Sequence, residues 1–544
     1  MKKFVLLIPF LFLAVSLRAQ NLDSLYNEFT RIKSGGNLAH PVITSSNAGK
    51  YKCAFGITAG IRFNYNKFSP QQQSVIASLL FRPVTDTSIV SPSGFFRIHY
   101  DLKGTNKPTY NVAELAAAAD SAFSFEVGYL GFPPPPPDNG AGGDDKYDIY
   151  IQSIAGYYGY TELENTTADN HYTSYMVLNS DFTGNYTTGI NAAKVTVAHE
   201  FHHGIQVGNY TYRSSDQYYY ELTSTSMEDF VFGYVNDYVF YLPSYFDSPG
   251  TAFSRHSGYD LAIFNFYLTD KFGLPILKNI WDNINTNTPL KAISLTLEGY
   301  SASFRSELAN FYKWTFFTGY RTVPGKYFAD ARLYPILKPA ITINYAPPEK
   351  SVMMETEPVS NNVFLFVNSS KSSPDSIFAL LANADYLNGD ANPYATTHCD
   401  YYISSSPAAG GRLIAPGYYA RFQSIFPDLL MDTDIINNTP EGENPSVSPS
   451  VIGDPFPQPF NYSRHNSVAI PVPDGVSEQS LLYIYTLNMK PVYTGTLTVI
   501  KTDKMFVRWN GLDNSNSRLP NGVYFYVTKR DDKIAKGKLV IQNE

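Results

Sequence analysis

The segment Val195-Thr196-Val197-Ala198-His199-Glu200-Phe201-His202-His203-Gly204-Ile205-Gln206 carries H-E-x-x-H as His199, Glu200 and His203, in a run whose apolar residues suit a helix. Helical residues four apart lie about 40° apart in azimuth and about 6 Å apart along the axis, so both imidazoles can meet one ion. Glu200, about 100° round from His199, reaches a water on that ion instead of the ion itself. Hydrolysis by zinc needs three protein ligands and one open position, with the carboxylate taking the proton of the water, so a third ligand must exist. A third histidine in the spacing H-x-x-G-x-x-H is missing: Gly208 follows the motif, but no histidine does until His256. The stretch Asp216 to Asp229 instead reads as a second helix, with Ser214, Ser215 or Asp216 able to cap its start, and it places Glu221 18 positions after His203.

These residues resemble the zincin peptidases of the gluzincin type, in which a Glu on the helix after H-E-x-x-H completes the zinc site. The resemblance implies Glu221 as the third ligand, beside His199 and His203, with Glu200 as general base. Glu228, seven residues further on the same face, is then either the alternative ligand or a partner that orients an imidazole. Thermolysin-like enzymes carry an acidic residue four after the ligand Glu, where this chain has Thr225. From the proline run through His199–His203 to Glu221 and Met227-Glu228-Asp229, the chain is similar to a group of exported bacterial metalloproteases.

Around this centre, His202 has the wrong spacing to pair with His199 and reads as packed or supporting. An oxyanion donor is also needed, and His256 and Tyr259 are candidates because both can donate. The zincin resemblance implies that Tyr175 to Leu178 is the edge strand that pairs with an extended peptide. Cys53 precedes the motif with no pro-segment pattern around it. A free buried thiol, or a disulfide with Cys399, is therefore expected ahead of a thiolate that blocks the metal.

Charged residues are 16% and aromatic residues 15% of 544, a make-up that excludes a solvating disordered chain or a charged coiled coil. The net charge of −7 and the lack of a basic run argue against nucleic acid as a partner. Lys2 and Lys3 precede an apolar run from Phe4 to Val15 and a small residue, Ala19, which together read as a signal peptide over residues 1–19. No later stretch replaces it as a membrane span, so a secreted or cell-surface chain is expected.

Residues 20–50 read as a pro-segment, an N-terminal extension or a first strand, and 51–338 as the catalytic domain. Its strand-like runs Phe95–Tyr100 and Tyr147–Ile151 precede helical segments, which is an α+β pattern of zincin-like type. The proline run Pro133–Pro137 is a stiff loop. Asp138, Asp144, Asp145 and Asp148 after it are candidates for a calcium (Ca2+) site because hard cations want several oxygens, although the spacing matches no EF-hand loop.

Residues 339–450 read as a β-rich, Ig-like domain of β-sandwich type, and 451–544 as a small β module. In the latter, Pro457-Gln458-Pro459-Phe460-Asn461, Trp509-Asn510-Gly511-Leu512-Asp513, Asn521-Gly522-Val523-Tyr524 and Lys536-Gly537-Lys538 are similar to the C-terminal sorting domain of type IX secretion cargo. That resemblance implies the secretion machinery as a partner.

The expectation is an exported endopeptidase with one catalytic zinc (Zn2+), acting on protein or peptide substrates. The aromatic wealth and β-rich second half support a different class, a surface-displayed adhesin or polymer-binding protein on a zincin scaffold without useful turnover. A zinc-dependent amide hydrolase acting on a non-peptide substrate fits the motif as well.

Overall fold

The computed structural model describes residues 22–34, 52–168, 170–346, 349–368, 375–404, 412–415, 418–424, 431–437, 455, 457–486, 490–501, 505–531 and 533–542. The expected signal peptide lies outside them. The described residues divide into two compact units, one drawn from 1–313, 337–374 and 378–436, the other from 314–336, 375–377 and 437–544.

The first unit begins with helices α1 (22–33), α2 (Phe55–Asn64) and α3 (Pro70–Leu79), then strands β1 (Thr87–Val90) and β2 (Phe96–Tyr100). Residues 22–33 are thus helical, not the first strand. Helix α4 (Val112–Phe123) starts where Asn111 Oδ1 accepts the free amides of Ala113 and Glu114. Strands β3 (Tyr147–Gln152), β4 (Gly159–Ala168) and β5 (His171–Asn179) follow, and the five strands form one mixed sheet in the order β1-β2-β3-β5-β4.

Strand β3 lies inside the sheet, parallel to both β2 and β5, and all but its last residue are buried. Tyr175 to Leu178 belong to β5, which is also interior. The edge falls to β4, because the hairpin that leaves β4 returns as β5 between β4 and β3.

Each face of the sheet carries helices. Tyr150, Tyr175 and Val177 pack with Ile32 of α1 and Ala54. Phe96 and Tyr147 meet Phe201 of the long helix α5 (Gly189–Asn209) on the other face. Every residue of α5 from Ala192 to Gly208 is buried, so this is a central helix and not an amphipathic surface one. It lies close to β4 because residue 159 is glycine: a Cβ there would sit 2.7 Å from Thr196 Cγ2 and 2.9 Å from the Val177 carbonyl oxygen.

Helix α6 (Gln217–Phe232) packs on α5 and is nearly as buried. Ser214–Asp216 form a single tight turn before it, and no side chain caps α6. The Asp216 carboxylate is engaged by Arg213 and Ser215 instead. Beyond it come α7 (Pro243–Asp247), α8 (Ala262–Phe272), α9 (Pro275–Ile284), α10 (Pro289–Gly299) and α11 (Phe304–Phe316). Three helices precede the sheet and one interrupts it, so the order is not simply strands and then helices, but the mixed sheet with its helical layers is of the expected α+β class.

Strands β6 (Ile341–Tyr345), β7 (Glu349–Thr356), β8 (Ser360–Asn368) and β9 (Asp375–Asn383) precede a short helix, α12 (Tyr386–Ala391). Strands β10 (Thr397–Ser404), β11 (Arg412–Ala415), β12 (Tyr418–Ser424) and β13 (Met431–Asn437) complete two four-stranded sheets, β11-β12-β10-β7 and β13-β9-β8-β6. The C-terminal strands β14 (Val468–Pro471), β15 (Gln479–Thr486), β16 (Pro491–Lys501), β17 (Met505–Trp509), β18 (Gly522–Arg530) and β19 (Lys533–Ile541) form one six-stranded sheet around Phe460, Leu482, Ile484, Trp509 and Tyr526. Among the described residues no helix is long and apolar enough to cross a membrane.

The calcium expectation meets a physical obstacle. Asp138 and Asp148 both face Arg82, Asp148 also faces His99, and Asp144 faces Arg97 and Lys146. Cations of the chain already occupy these carboxylates, and among the described residues no three of them converge.

Helix α12 is tied back to the helical layer through Asp390, which accepts from the Leu290 amide at the start of α10 and from the Tyr218 hydroxyl of α6. Burial raises its carboxyl to about 6, so the folded chain holds a proton that the unfolded chain releases above its own pKa of about 3.9. The resulting stability is fully present below about pH 4 and is lost as pH rises through about 6, by about 3 kcal/mol in all. Asp390→Asn should flatten this part of the profile. Urea unfolding of both proteins from pH 4 to 7 checks it, and parallel profiles would refute the assignment.

Candidate metal centre

The α5–α6 contact brings three acceptor atoms to one point. His199 Nε2 and His203 Nε2 are 3.1 Å apart, and Glu221 Oε2 lies 3.1 Å from the first and 3.4 Å from the second. Nitrogen and oxygen donors at about 2.0–2.1 Å from a tetrahedral divalent ion stand about 3.4 Å from one another, so the triangle fits such an ion. Glu221 reaches this point because Gly258, at φ +96°, lets the 256–261 turn lie against α6. A Cβ on residue 258 would be 2.2 Å from the Tyr218 carbonyl oxygen and 2.8 Å from Glu221 Cβ.

The partners behind the rings fix which nitrogen faces inward. Gln206 donates from Nε2 to the Tyr220 carbonyl, which leaves its Oε1 to accept from His203 Nδ1 at 2.7 Å. His199 Nδ1 donates to Glu228 Oε1 at 2.8 Å. With both protons on Nδ1, the two Nε2 lone pairs and the Glu221 carboxylate all face each other as acceptors, an arrangement that a cation stabilises. The second Glu221 oxygen, Oε1, is buried with no hydrogen-bond partner. Without a metal, a proton takes the bridging part. Burial alone would push His199 down, but Glu221 and Glu228 raise it to about 9. Burial likewise opposes ionisation of Glu221, which the two histidines hold at about 2.

Glu228 thus stands at the far nitrogen of His199, away from the converging atoms. It is shared with Lys52, whose buried ammonium also pairs with Asp237. Glu200 sits on the same turn of α5 as His199. Thr161 of β4 donates to its Oε2 at 2.9 Å, and burial pushes its carboxyl up. His202 is engaged elsewhere, 2.8 Å from the buried Glu126 and edge-on to Trp281 and Phe132, and burial holds it well below the usual histidine range.

Of the two donor candidates, Tyr259 is at the centre: its ring lies 6.1 Å from the His199 ring, and its hydroxyl is 3.2 Å from both the amide nitrogen and the carbonyl oxygen of Cys53. His256 is held at Nδ1 by Asp260 at 2.8 Å and is not brought into the converging group.

Cys53, expected as a free buried thiol or a disulfide partner ahead of a thiolate that blocks the metal, is in the group. It is a free, buried thiol, and its sulfur lies with the His199, His203 and Glu221 ligand atoms in a cluster no more than 4.8 Å across. Burial and the nearby Glu200 and Glu221 carboxylates push the thiol well up. Lys52, Thr161 and Asp237 were also not anticipated. Gln206 carried a usable signal, since three residues after His203 on a helix it shares that side chain's face.

No protein-family model matches the chain, and no curated protein does. Among solved structures it is similar to the crystal structure of dimeric latent PorU from Porphyromonas gingivalis, at 11% identity and a TM-score of 0.15, over 38% of this chain and 19% of that one. Agreement at that level carries no argument about fold or activity. The present chain spans about a fifth of the length of that neighbour.

If Glu228 orients His199, Glu228→Gln should weaken binding of a divalent transition metal by about 10–100-fold. Chelator competition with Zn(II) or Co(II) reads this directly, and equal affinities would remove Glu228 from the site.

Proposed function

We propose that the chain is an exported zinc-dependent endopeptidase, with His199, His203 and Glu221 as zinc ligands and Glu200 as general base. The observation that carries the reading is the triangle of inward-facing acceptors at 3.1, 3.1 and 3.4 Å, with a carboxylate one residue after the first histidine. Two imidazoles and one carboxylate suit zinc, which takes nitrogen and oxygen donors in fours and keeps one position open in hydrolytic sites. When bound, zinc supplies the Lewis acidity that polarises a peptide carbonyl and makes water a nucleophile near neutral pH.

The remaining steps belong to the chain's own side chains. Glu200, with its carboxyl raised by burial, takes the proton of the attacking water and later delivers it to the leaving amine. Thr161 holds that carboxylate by Oε2. Glu228 and Gln206 keep both imidazoles turned inward. Tyr259 is the donor best placed to meet an oxyanion, given its distance from His199.

The signal-peptide pattern of residues 1–19 and the resemblance of residues 451–544 to type IX cargo support export, with the secretion machinery as the partner of the C-terminal module.

The purified chain should carry about one zinc, the stoichiometry of a three-ligand catalytic site. Glu200→Gln should keep that zinc and cut peptide-library cleavage by about 10²–10⁴-fold. A chain that excludes zinc, or cleavage that survives Glu200→Gln, would refute the reading.

A further inference from the structure

Residues 52–55 lie across the metal centre as a strap. The Tyr158 amide donates to the Lys52 carbonyl at 2.9 Å, and the Ala54 amide donates to the Gly159 carbonyl at 3.0 Å, so the strap runs parallel to the open edge of β4. Phe55 stacks on the ligand His203, with ring centroids 4.2 Å apart at 18°, and touches Tyr212 and Tyr220 beyond it. Tyr259 holds Cys53 by its main chain, and the Lys52 ammonium is pinned between Glu228 and Asp237. With the strap in place His199, Glu200, His203 and Glu221 are each at most 1% exposed, so no peptide can reach them.

Cys53 is the one strap residue whose side chain offers a ligand. A tetrahedral ion with a sulfur at about 2.3 Å and three nitrogen or oxygen donors at about 2.0–2.1 Å places the sulfur about 3.6 Å from each of the others. The four ligand atoms already lie within 4.8 Å of one another, so about 1 Å of side-chain adjustment brings the sulfur into place. Its sulfur accepts from the Phe55 amide at 3.2 Å, which fixes its position beside the ligand atoms. The Glu221 oxygen left without a partner, buried in the same cluster, independently marks the place as one built for a cation.

We propose that Cys53 is a fourth protein ligand of this centre and that residues 52–55 hold the protein in a latent form, with the strap standing where substrate must bind. The inference rests on the zinc-peptidase reading above and adds its regulation. On coordination the thiol S–H breaks, the sulfur–metal bond forms, and the proton passes to the neighbouring Glu200 carboxylate, the group that must be free to act as base. Withdrawal of the strap returns the fourth position to water, frees the Tyr259 hydroxyl from the Cys53 main chain, and exposes the Tyr158 amide and Gly159 carbonyl for an incoming peptide backbone.

X-ray absorption on the full-length chain loaded with zinc tests the ligand without any variant: one sulfur at about 2.3 Å beside three lighter donors is expected. Cys53→Ala and Cys53→Ser should both lose that sulfur while keeping zinc, and should raise peptide-library cleavage above that of the wild-type chain. The Glu200→Gln/Cys53→Ala double variant should stay silent. Zinc bound with no sulfur in its shell would overturn the inference and leave the peptidase reading standing. A sulfur that is present but whose removal brings no gain in cleavage would overturn the latency. Absence of zinc from the loaded wild-type chain would overturn the peptidase reading itself.

Discussion

Three lone-pair acceptors held face to face inside a protein repel one another unless a cation or a proton sits between them, and much of the first unit serves to hold them so. His199 and His203 come from one helix and Glu221 from the next, so the triangle exists only while α5 and α6 keep their register. Each partner behind the triangle ties those elements together. Gln206 joins the His203 ring to the Tyr220 carbonyl, and Glu228 joins the His199 ring to Lys52 and, through it, to Asp237. Such buried charges are retained only when paired, because an uncompensated one costs several kcal/mol, about 3–5 for a broken buried pair.

The aromatic surplus of the sequence acquires a local meaning here. Phe55, Tyr212, Tyr220 and Trp281 pack in sequence beside His203, while Phe132, Trp281 and Tyr210 enclose His202. Rings are large and apolar but carry few competing polar atoms, so they lower the local dielectric around the ligands without offering them alternative partners. Burial beside Phe132 and Trp281 depresses the imidazole of His202, and burial likewise raises the carboxyl of Glu200. A chain poor in charge can therefore place its few ionisable groups where their interactions are strong.

The local elements were legible because their signals are local. Helical spacing in 195–206 and 216–229 and alternation in β2, β3, β15 and β18 are written in consecutive residues, and the structure has helices and strands there. The convergence of Glu221 with the histidines came from a resemblance, since nothing in spacing alone brings one helix onto another. Strand order was not legible: the zincin resemblance implied that Tyr175 to Leu178 form the edge, but the β4–β5 hairpin inserts β5 next to β3. For the same reason Lys52 was missed, and Cys53 was expected as a free buried thiol or a disulfide partner ahead of a thiolate at the metal. They lie far upstream in sequence, and only the pairing of 52–54 with the edge of β4 carries them to the metal centre.

That pairing also sets a balance of charge. Lys52 is fully buried between Glu228 and Asp237, and its ammonium is held far above the ordinary lysine range by those carboxylates against the pull of burial. While the strap stays, Glu228 is neutralised from behind and can accept the His199 proton without carrying an unpaired charge. If the strap leaves, Lys52 leaves with it, and two buried carboxylates must find water or protons. Opening of the cleft therefore couples to hydration of the space behind His199, so that the orienting carboxylate and the fourth ligand position change together. A centre of this kind is closed and open as one unit because a single four-residue segment contributes both the cation behind one ligand and the sulfur in front of it.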